Sequence, residues 1–265
     1  MSSIVTDQGI VHYETYGQGA PVILLHGWIG SWDTWHATME SLGQHYRAYA
    51  LDFWGFGESG KKRSTYTVSD FVDLVDQFMD RLGIPSAPLI GHSMGGTVGL
   101  LVAIRYPRRA PKVVIVGAPL VGSSLNIFLR LAGYRPLAFM AYNLPGLLRL
   151  SLRAFSPLIA KQASAWYAMQ ERDLSRTSLE SFLLSIASLR RTDLRPRLAE
   201  VKVPVMGVFG IGDNIVDPRQ NKVLAAGVSH ARIEIMHGSR HFPMLDEPER
   251  FNGLLKDFLD GAGHA

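Results

Sequence analysis

The sequence predicts an α/β fold: a mostly parallel, doubly wound sheet with helices on both faces, interrupted by a helical insert. Three observations carry the prediction. Short aliphatic runs such as Val22 to Leu25 and Val205 to Phe209 lack polar alternation, as in strands buried on both faces of a parallel sheet. Segments whose apolar residues repeat at three- and four-residue steps lie between such runs, so helices alternate with strands. From Pro119 to Glu200 no strand-like run occurs, and Leu, Ala, Ser and Arg dominate; the alternation resumes at Pro204. The expected organisation is therefore a core of residues 1–118 and 201–265 and a helical insertion of residues 119–200.

Ile10 to Tyr16 alternates apolar and polar side chains and predicts an early antiparallel strand with one wet face, closed by Gly17-Gln18-Gly19. Val22 to Leu25 is the first buried strand. Asp33 to Leu42 has helical spacing, and Tyr46 to Leu51 is the next strand, ending at Asp52. Val68, Phe71, Val72, Val75, Phe78, Met79 and Leu82 mark one face of a helix, with aspartates between them. A short strand then runs into Gly91-His92-Ser93-Met94-Gly95, followed by a helix over Thr97 to Arg105 and a strand over Lys112 to Val116. In the insert, helices are expected over Leu125 to Leu131, Gly146 to Ala154 and Ser178 to Leu189, with one more opened by Ser156 as N-cap and Pro157 in the first turn. Strand Val205 to Phe209, a helix near Gln220 to Ala226, strand Arg232 to Met236 and helix Pro248 to Leu259 complete the core.

Of the 265 residues, 47% are hydrophobic and 19% charged, which favours neither disorder nor a coiled coil. The absence of cysteine excludes a disulfide framework, a thiol nucleophile and Cys-ligated metal centres. The first residues carry neither a basic start nor an apolar core segment, so a cytoplasmic location is expected. The net charge of +4 is unevenly spread, since residues 119–200 hold 11 basic and 5 acidic side chains. Those cations are spaced along apolar helices and not clustered with glycine and aromatics, which reads as a solvated helix face and against nucleic-acid binding. Should the arginines rim apolar helices, the insert could also rest on an anionic membrane surface.

The chemistry centres on Ser93. A strand, a tight turn with glycine on both sides and a helix would hold its hydroxyl exposed at the end of the sheet. A serine hydroxyl needs a base, and a neutral imidazole needs a third group to fix its tautomer. Both should lie on loops at the carboxyl ends of later strands. Asp213 follows the strand ending near Phe209, and His241 follows the strand ending at Met236. Asp217 competes with Asp213 but stands before Pro218, where capping the following helix suits it better. His237 and His241 are four apart, yet Gly238 and Pro243 argue against a helical metal pair and no third ligand stands out, so no metal is expected.

The order Ser93, Asp213, His241 is that of the nucleophile-elbow hydrolases, and here the sequence resembles Ser-nucleophile members of the α/β-hydrolase family. The likeness covers nearly the whole chain. It is carried by His26-Gly27-Trp28 with Ser31 and Trp35, Asp52 with Gly55-Phe56-Gly57 and Ser59, Gly91 to Gly96, Gly210 with Asp213, and Gly238 to Glu249. The insert corresponds to the family's helical cap. The resemblance implies that Ser93 attacks a carbonyl, that His241 acts as base and then acid, and that Asp213 holds the imidazole. It also implies that the backbone N–H groups of Trp28 and Met94 form an oxyanion hole. It implies no cofactor, and a serine in place of an aspartate nucleophile disfavours dehalogenase and epoxide hydrolase chemistry.

A carboxylesterase or lipase-like reaction on a small-molecule ester with an apolar acyl group is the leading expectation. The alternatives are a C–C hydrolase of a diketone ring-fission product, an acyltransferase or lactonase, and a non-catalytic ligand receptor on the same fold. The expected pocket residues are His26, Trp32, Trp54, His92, Phe139, Trp166 and Phe242, with cap-to-core packing as the competing reading of its apolar members.

Overall fold

The computed structural model describes residues 2–62, 65–132, 134 and 144–261. Its strands are β1 (Ser2–Thr6), β2 (Gly9–Tyr16), β3 (Ala20–Leu25), β4 (Tyr46–Leu51), β5 (Leu89–His92), β6 (Val113–Val116), β7 (Val205–Gly210) and β8 (Arg232–Met236). They form one sheet in the order β1-β2-β4-β3-β5-β6-β7-β8. β1 and β2 pair antiparallel, as do β2 and β4; every pairing from β4 to β8 is parallel. The α/β fold expected from the sequence is the one observed. β1 was not anticipated, because it is an edge strand that pairs only with β2 and buries no aliphatic run.

Strand alternation sorts the core into two layers. Ile23 and Leu25 face one side with α2 (Val68–Arg81) and α3 (Met94–Arg105), while Val22 and Leu24 face the other with α1 (His36–Leu42) and a C-terminal helix (Pro248–Asp260). α2 starts with a capping box: the Asp70 backbone N–H donates to Thr67 Oγ1 at 3.2 Å, and the Thr67 N–H donates to Asp70 Oδ2 at 2.6 Å. The helix expected over Asp33 to Leu42 divides into a 3-10 turn (Trp32–Trp35) and α1.

Between β6 and β7 the described chain is helical: α4 (Ile127–Ala132), α5 (Pro145–Ile159), α6 (Ala163–Ser175) and α7 (Leu179–Arg191), then a 3-10 turn at Arg195–Glu200. Its ends meet at one point, where Val121 bridges Asp193 and the Leu194 N–H donates to the Leu120 carbonyl at 2.8 Å. The separate helix expected at Ser156-Pro157 is corrected, since α5 runs through both residues. Pro157 offers no N–H to the carbonyl of Arg153, and Ser156 Oγ–H supplies the missing donor at 2.9 Å. α6 escaped the periodicity argument because part of its buried face is polar, with Gln170 and Asp173. Helix α8 (Gln220–Gly227) precedes β8, and α9 (Pro243–Asp246) and α10 (Pro248–Asp260) follow it. No described helix is long and apolar enough to cross a membrane.

Phe71 of α2 is fully buried and its ring lies 4.7 Å from that of Phe53. Phe71→Ala is expected to cost about 3–5 kcal/mol of stability, read as a fall in the urea midpoint, because the layer can collapse only partly around the void.

Candidate active site

Apolar β5 carries the chain to Ser93, where it turns at once into α3. Ser93 has φ 51° and ψ −118°, a conformation that a side chain adopts only under strain, and its N–H donates to the Val116 carbonyl at 2.8 Å. The turn is tight because glycine stands on both sides. A Cβ on Gly91 would collide with the Gly95 carbonyl, and one on Gly95 with the Leu25 carbonyl. Met94 is the first residue of α3, so its N–H belongs to the first turn, whose donors have no carbonyl partner within the helix.

The second strained residue is Ile29, at φ 53°. Ser93 and Ile29 are the only non-glycine residues with positive φ among the described residues. Ile29 lies in the turn from Gly27 to Gly30, closed by Gly30 N–H to the Gly27 carbonyl at 3.1 Å, and Trp28 is that turn's second residue. The turn passes against the serine: the Cβ position of Gly27 is 3.1 Å from Ser93 Cβ. The Trp28 side chain points to the insert, where Nε1–H donates to the Phe182 carbonyl at 3.1 Å and the rings stand 4.6 Å apart.

Asp213 and His241 meet against Gly117, just past the end of β6. Asp213 Oδ1 accepts the N–H groups of Ile215 and Val216 at 2.8 and 2.9 Å, which leaves Oδ2 for His241 Nδ1 at 2.7 Å. Both side chains are buried. With its proton on Nδ1, the imidazole presents Nε2 as a base. The backbone of His241 is held from two directions: its N–H donates to the Ile159 carbonyl of α5 at 3.1 Å, and its carbonyl accepts from His92 Nε2 at 2.9 Å. Burial, then the neighbouring His241, pushes the His92 imidazole well below the usual histidine range, so His92 is neutral. Its ring lies 4.7 Å from that of His241 and 4.5 Å from that of Phe242, and Trp166 of α6 stands edge-on to Phe242 at 6.2 Å. Asp217 binds its own neighbour Arg219, and His237 is exposed. Among the described residues no group of three or more His, Cys, Asp or Glu side chains could hold a metal ion.

Three expected pocket residues stand elsewhere. Trp54 is fully buried in the core layer of α2 and α3, beneath the β1–β2 turn at Gly9. Core packing, the competing reading of its apolar ring, is what the structure shows for Trp54. Trp32 lines a separate cavity of about 270 Å³ with His12, Asp33, Arg172 and Arg176, because its backbone N–H is drawn to Asp52 Oδ1 at 2.6 Å. His26 is fully buried with both ring nitrogens on backbone, Nδ1 to the Gly27 carbonyl at 2.7 Å and Nε2 accepting from Phe53 N–H at 2.9 Å, so its ring ties the turn to the end of β4. Burial lowers its basicity further. Phe139 lies outside the described residues. His92, Trp166 and Phe242 do gather at the Ser93 end of the sheet.

Sequence reading missed the junction between insert and core. Ser31 Oγ–H donates to Asp173 Oδ1 at 3.0 Å, and Arg172 reaches both Asp173 (3.1 Å) and Asp33 (2.7 Å). Arg-Asp in a helix reads as solvated charge, and nothing in the sequence marks Asp173 as buried. Its carboxyl is raised to about 6 by burial, which outweighs the attraction of Arg172; Oδ2 is buried without a hydrogen-bond partner. The half-exposed Arg172 is desolvated less and is raised by the same pairing.

A mostly parallel sheet with a serine on a strained strand-to-helix turn is the architecture of an α/β hydrolase. The family model described as alpha/beta hydrolase fold matches residues 20–248, and the chain belongs to that family. It is 30% identical over 268 residues to a 2-hydroxy-6-oxo-6-phenylhexa-2,4-dienoate hydrolase of Comamonas testosteroni, a match spanning 94% of this chain and 91% of that one. In fold it is similar to the enol-lactonase of Burkholderia xenovorans LB400 (TM-score 0.83, 21% identity, 98% and 100% of the two chains). It is also similar to a thermophilic esterase of Thermogutta terrifontis (TM-score 0.84, 21% identity, 98% and 97%).

The Asp173 carboxyl binds its proton more tightly in the folded than in the unfolded chain, where its ordinary value is 3.8. The stability this contributes is present in full below about 3.8 and is lost as pH rises through about 6. Asp173→Asn removes the titration, so the stability difference between the two proteins should change by on the order of 1–3 kcal/mol between pH 4 and 7.5. Urea titrations at a series of pH values would measure it, and parallel curves would contradict the assignment.

Proposed function

We propose that the protein is a serine hydrolase that cleaves a carboxylic ester with an apolar acyl group through a covalent acyl-enzyme. The observation that carries the reading is the buried 2.7 Å contact between Asp213 Oδ2 and His241 Nδ1, which fixes the tautomer that leaves Nε2 free to take a proton. In the first step Ser93 Oγ attacks the ester carbonyl carbon and its proton passes to His241 Nε2. The carbonyl oxygen takes the negative charge and is met by the N–H groups of Trp28 and Met94. Collapse breaks the C–O bond of the alcohol, which leaves with the proton from His241. Water then attacks the acyl carbon, gives its proton to His241, and the acid departs as Ser93 regains its hydrogen. The strained turn supports this order of events, since it presents a hydroxyl ahead of a helix N-terminus where negative charge is favoured.

Phe242, Trp166 and the neutral His92 support an apolar acyl group, because together they offer rings and no charge. A second reading, C–C cleavage of a diketone, is favoured by the 30% identity to the dienoate hydrolase over nearly the whole chain. Turnover of p-nitrophenyl esters over a series of acyl lengths, beside a vinylogous diketone, separates the two. A maximum at medium acyl length with slow diketone turnover is expected; the reverse preference would replace the ester reading with the second.

Ser93→Ala should lower kcat on the preferred ester by about 10⁴-fold or more. Equal rates for the two proteins would remove Ser93 from the mechanism. Asp213→Asn should lower kcat by about 10⁴-fold with little change in KM, because it disturbs the tautomer and not the acyl contacts. A change confined to KM would argue against that role.

A further inference from the structure

α5 turns leucines outward. Leu150, Ala154 and Leu158 follow one another at four-residue steps along its exposed side, while Leu152 and Ile159 pack against the core. Leu150 is 64% and Leu158 50% exposed. On one flank of the stripe Phe155 meets Phe128 of α4 at 5.6 Å, and Phe128 is itself 65% exposed, so the two helices share one apolar surface that continues to Ile127 and Leu131. Singly exposed leucines are ordinary; a contiguous apolar face on two adjacent helices is not.

The other flank is cationic. Arg149 and Arg153 lie one and two turns along from the helix start, and Arg130 stands on α4. Between Asp80 and Glu171 the sequence has no acidic residue. Arg149 pairs with Glu171 at 3.2 Å, but Arg130 and Arg153 have no ion-pair partner among the described residues. A wholly apolar partner would satisfy the leucines and leave two unpaired guanidinium groups. A surface with hydrocarbon below and anionic headgroups above satisfies both.

We propose that the outer face of α4 and α5 docks on an anionic lipid bilayer surface, with the leucine and phenylalanine side chains in the acyl boundary and Arg130 and Arg153 on phosphate groups. The docking face adjoins the catalytic end of the sheet. The Leu158 carbonyl accepts from Asn214 Nδ2 at 3.1 Å, beside Asp213, and the Ile159 carbonyl accepts from His241 N–H at 3.1 Å. α5 therefore connects the bilayer contact to the two loops that bring Asp213 and His241 together.

The test is flotation of the full-length protein with vesicles of phosphatidylcholine alone or with added phosphatidylglycerol, run on Ser93→Ala so that no hydrolysis alters the lipid. Because it reads binding alone, its outcome is independent of the ester chemistry proposed above. Binding is expected only with phosphatidylglycerol and should weaken with added salt. Arg130→Gln with Arg153→Gln should weaken it by about 30-fold, and Phe128→Ser with Leu150→Ser by at least as much. Lys202→Glu with Lys222→Glu, exposed cations of the core, should leave it unchanged. Circular dichroism of each variant confirms that it is folded. Absence of binding at low salt would overturn the proposal, as would binding that the core pair weakens as much as the arginine pair. A dimer in solution that Phe128→Ser with Leu150→Ser dissociates, without vesicle binding, would overturn it too and assign the face to a second copy of the chain.

Discussion

Helix α3 lies so near strands β3 and β5 that backbone meets backbone. A Cβ on Gly91 or on Gly95 would strike a carbonyl of the facing element, and Ser93 stands between them. The approach removes any slack in the turn, which is why a serine there has positive φ and cannot relax without lifting the helix off the sheet. Everything else at the site is measured from that fixed point. The Gly27–Gly30 turn packs on Ser93 itself, and Val116 at the end of β6 accepts its N–H. The β7 and β8 ends then deliver Asp213 and His241 on the same side of the sheet.

The helical insert is tied to the core on both sides of Ser93's neighbours. On one side it reaches the turn that carries Trp28, through Phe182, Asp173 and Arg172. On the other, Ile159 accepts the backbone N–H of His241. Neither set of contacts touches Ser93, yet one holds the turn that packs on its Cβ and the other holds the loop that carries His241. Asp52 plays the corresponding part in the core, where its carboxylate accepts Trp32 N–H and Glu58 N–H and meets His12 Nδ1 at 2.9 Å. Burial works against charge on His12, but the bond and charge of Asp52, with Glu14, outweigh it and raise its basicity.

What could be read from the sequence follows a physical division. Parallel strands were legible because burial on both faces demands aliphatic runs, and α2 because a half-buried helix must alternate at its own period. Ser93, Asp213 and His241 were legible as an ordered set on strand-to-loop boundaries, and the structure brings Asp213 to His241. Orientation was not legible. Trp28, Trp32 and Trp54 look alike in sequence, yet one points to the insert, one to a charged cavity and one into the core. The direction of each is set by a backbone hydrogen bond or turn closed by residues distant in sequence. Asp173 was invisible for the same reason, since its burial depends on Ser31, 142 positions away.

The insert begins and ends at adjacent residues, with Val121 bridged to Asp193. The core thus experiences the whole excursion as a short closed loop, and the entropy of closing that loop changes only slowly with its length. Insert and core can therefore diverge at different rates: a lineage can lengthen, shorten or exchange the helices above the sheet while the strand ends below keep their spacing. Changes to the helices would fall on one part of the chain, and changes to the Ser93 turn and the strand ends around it on the other.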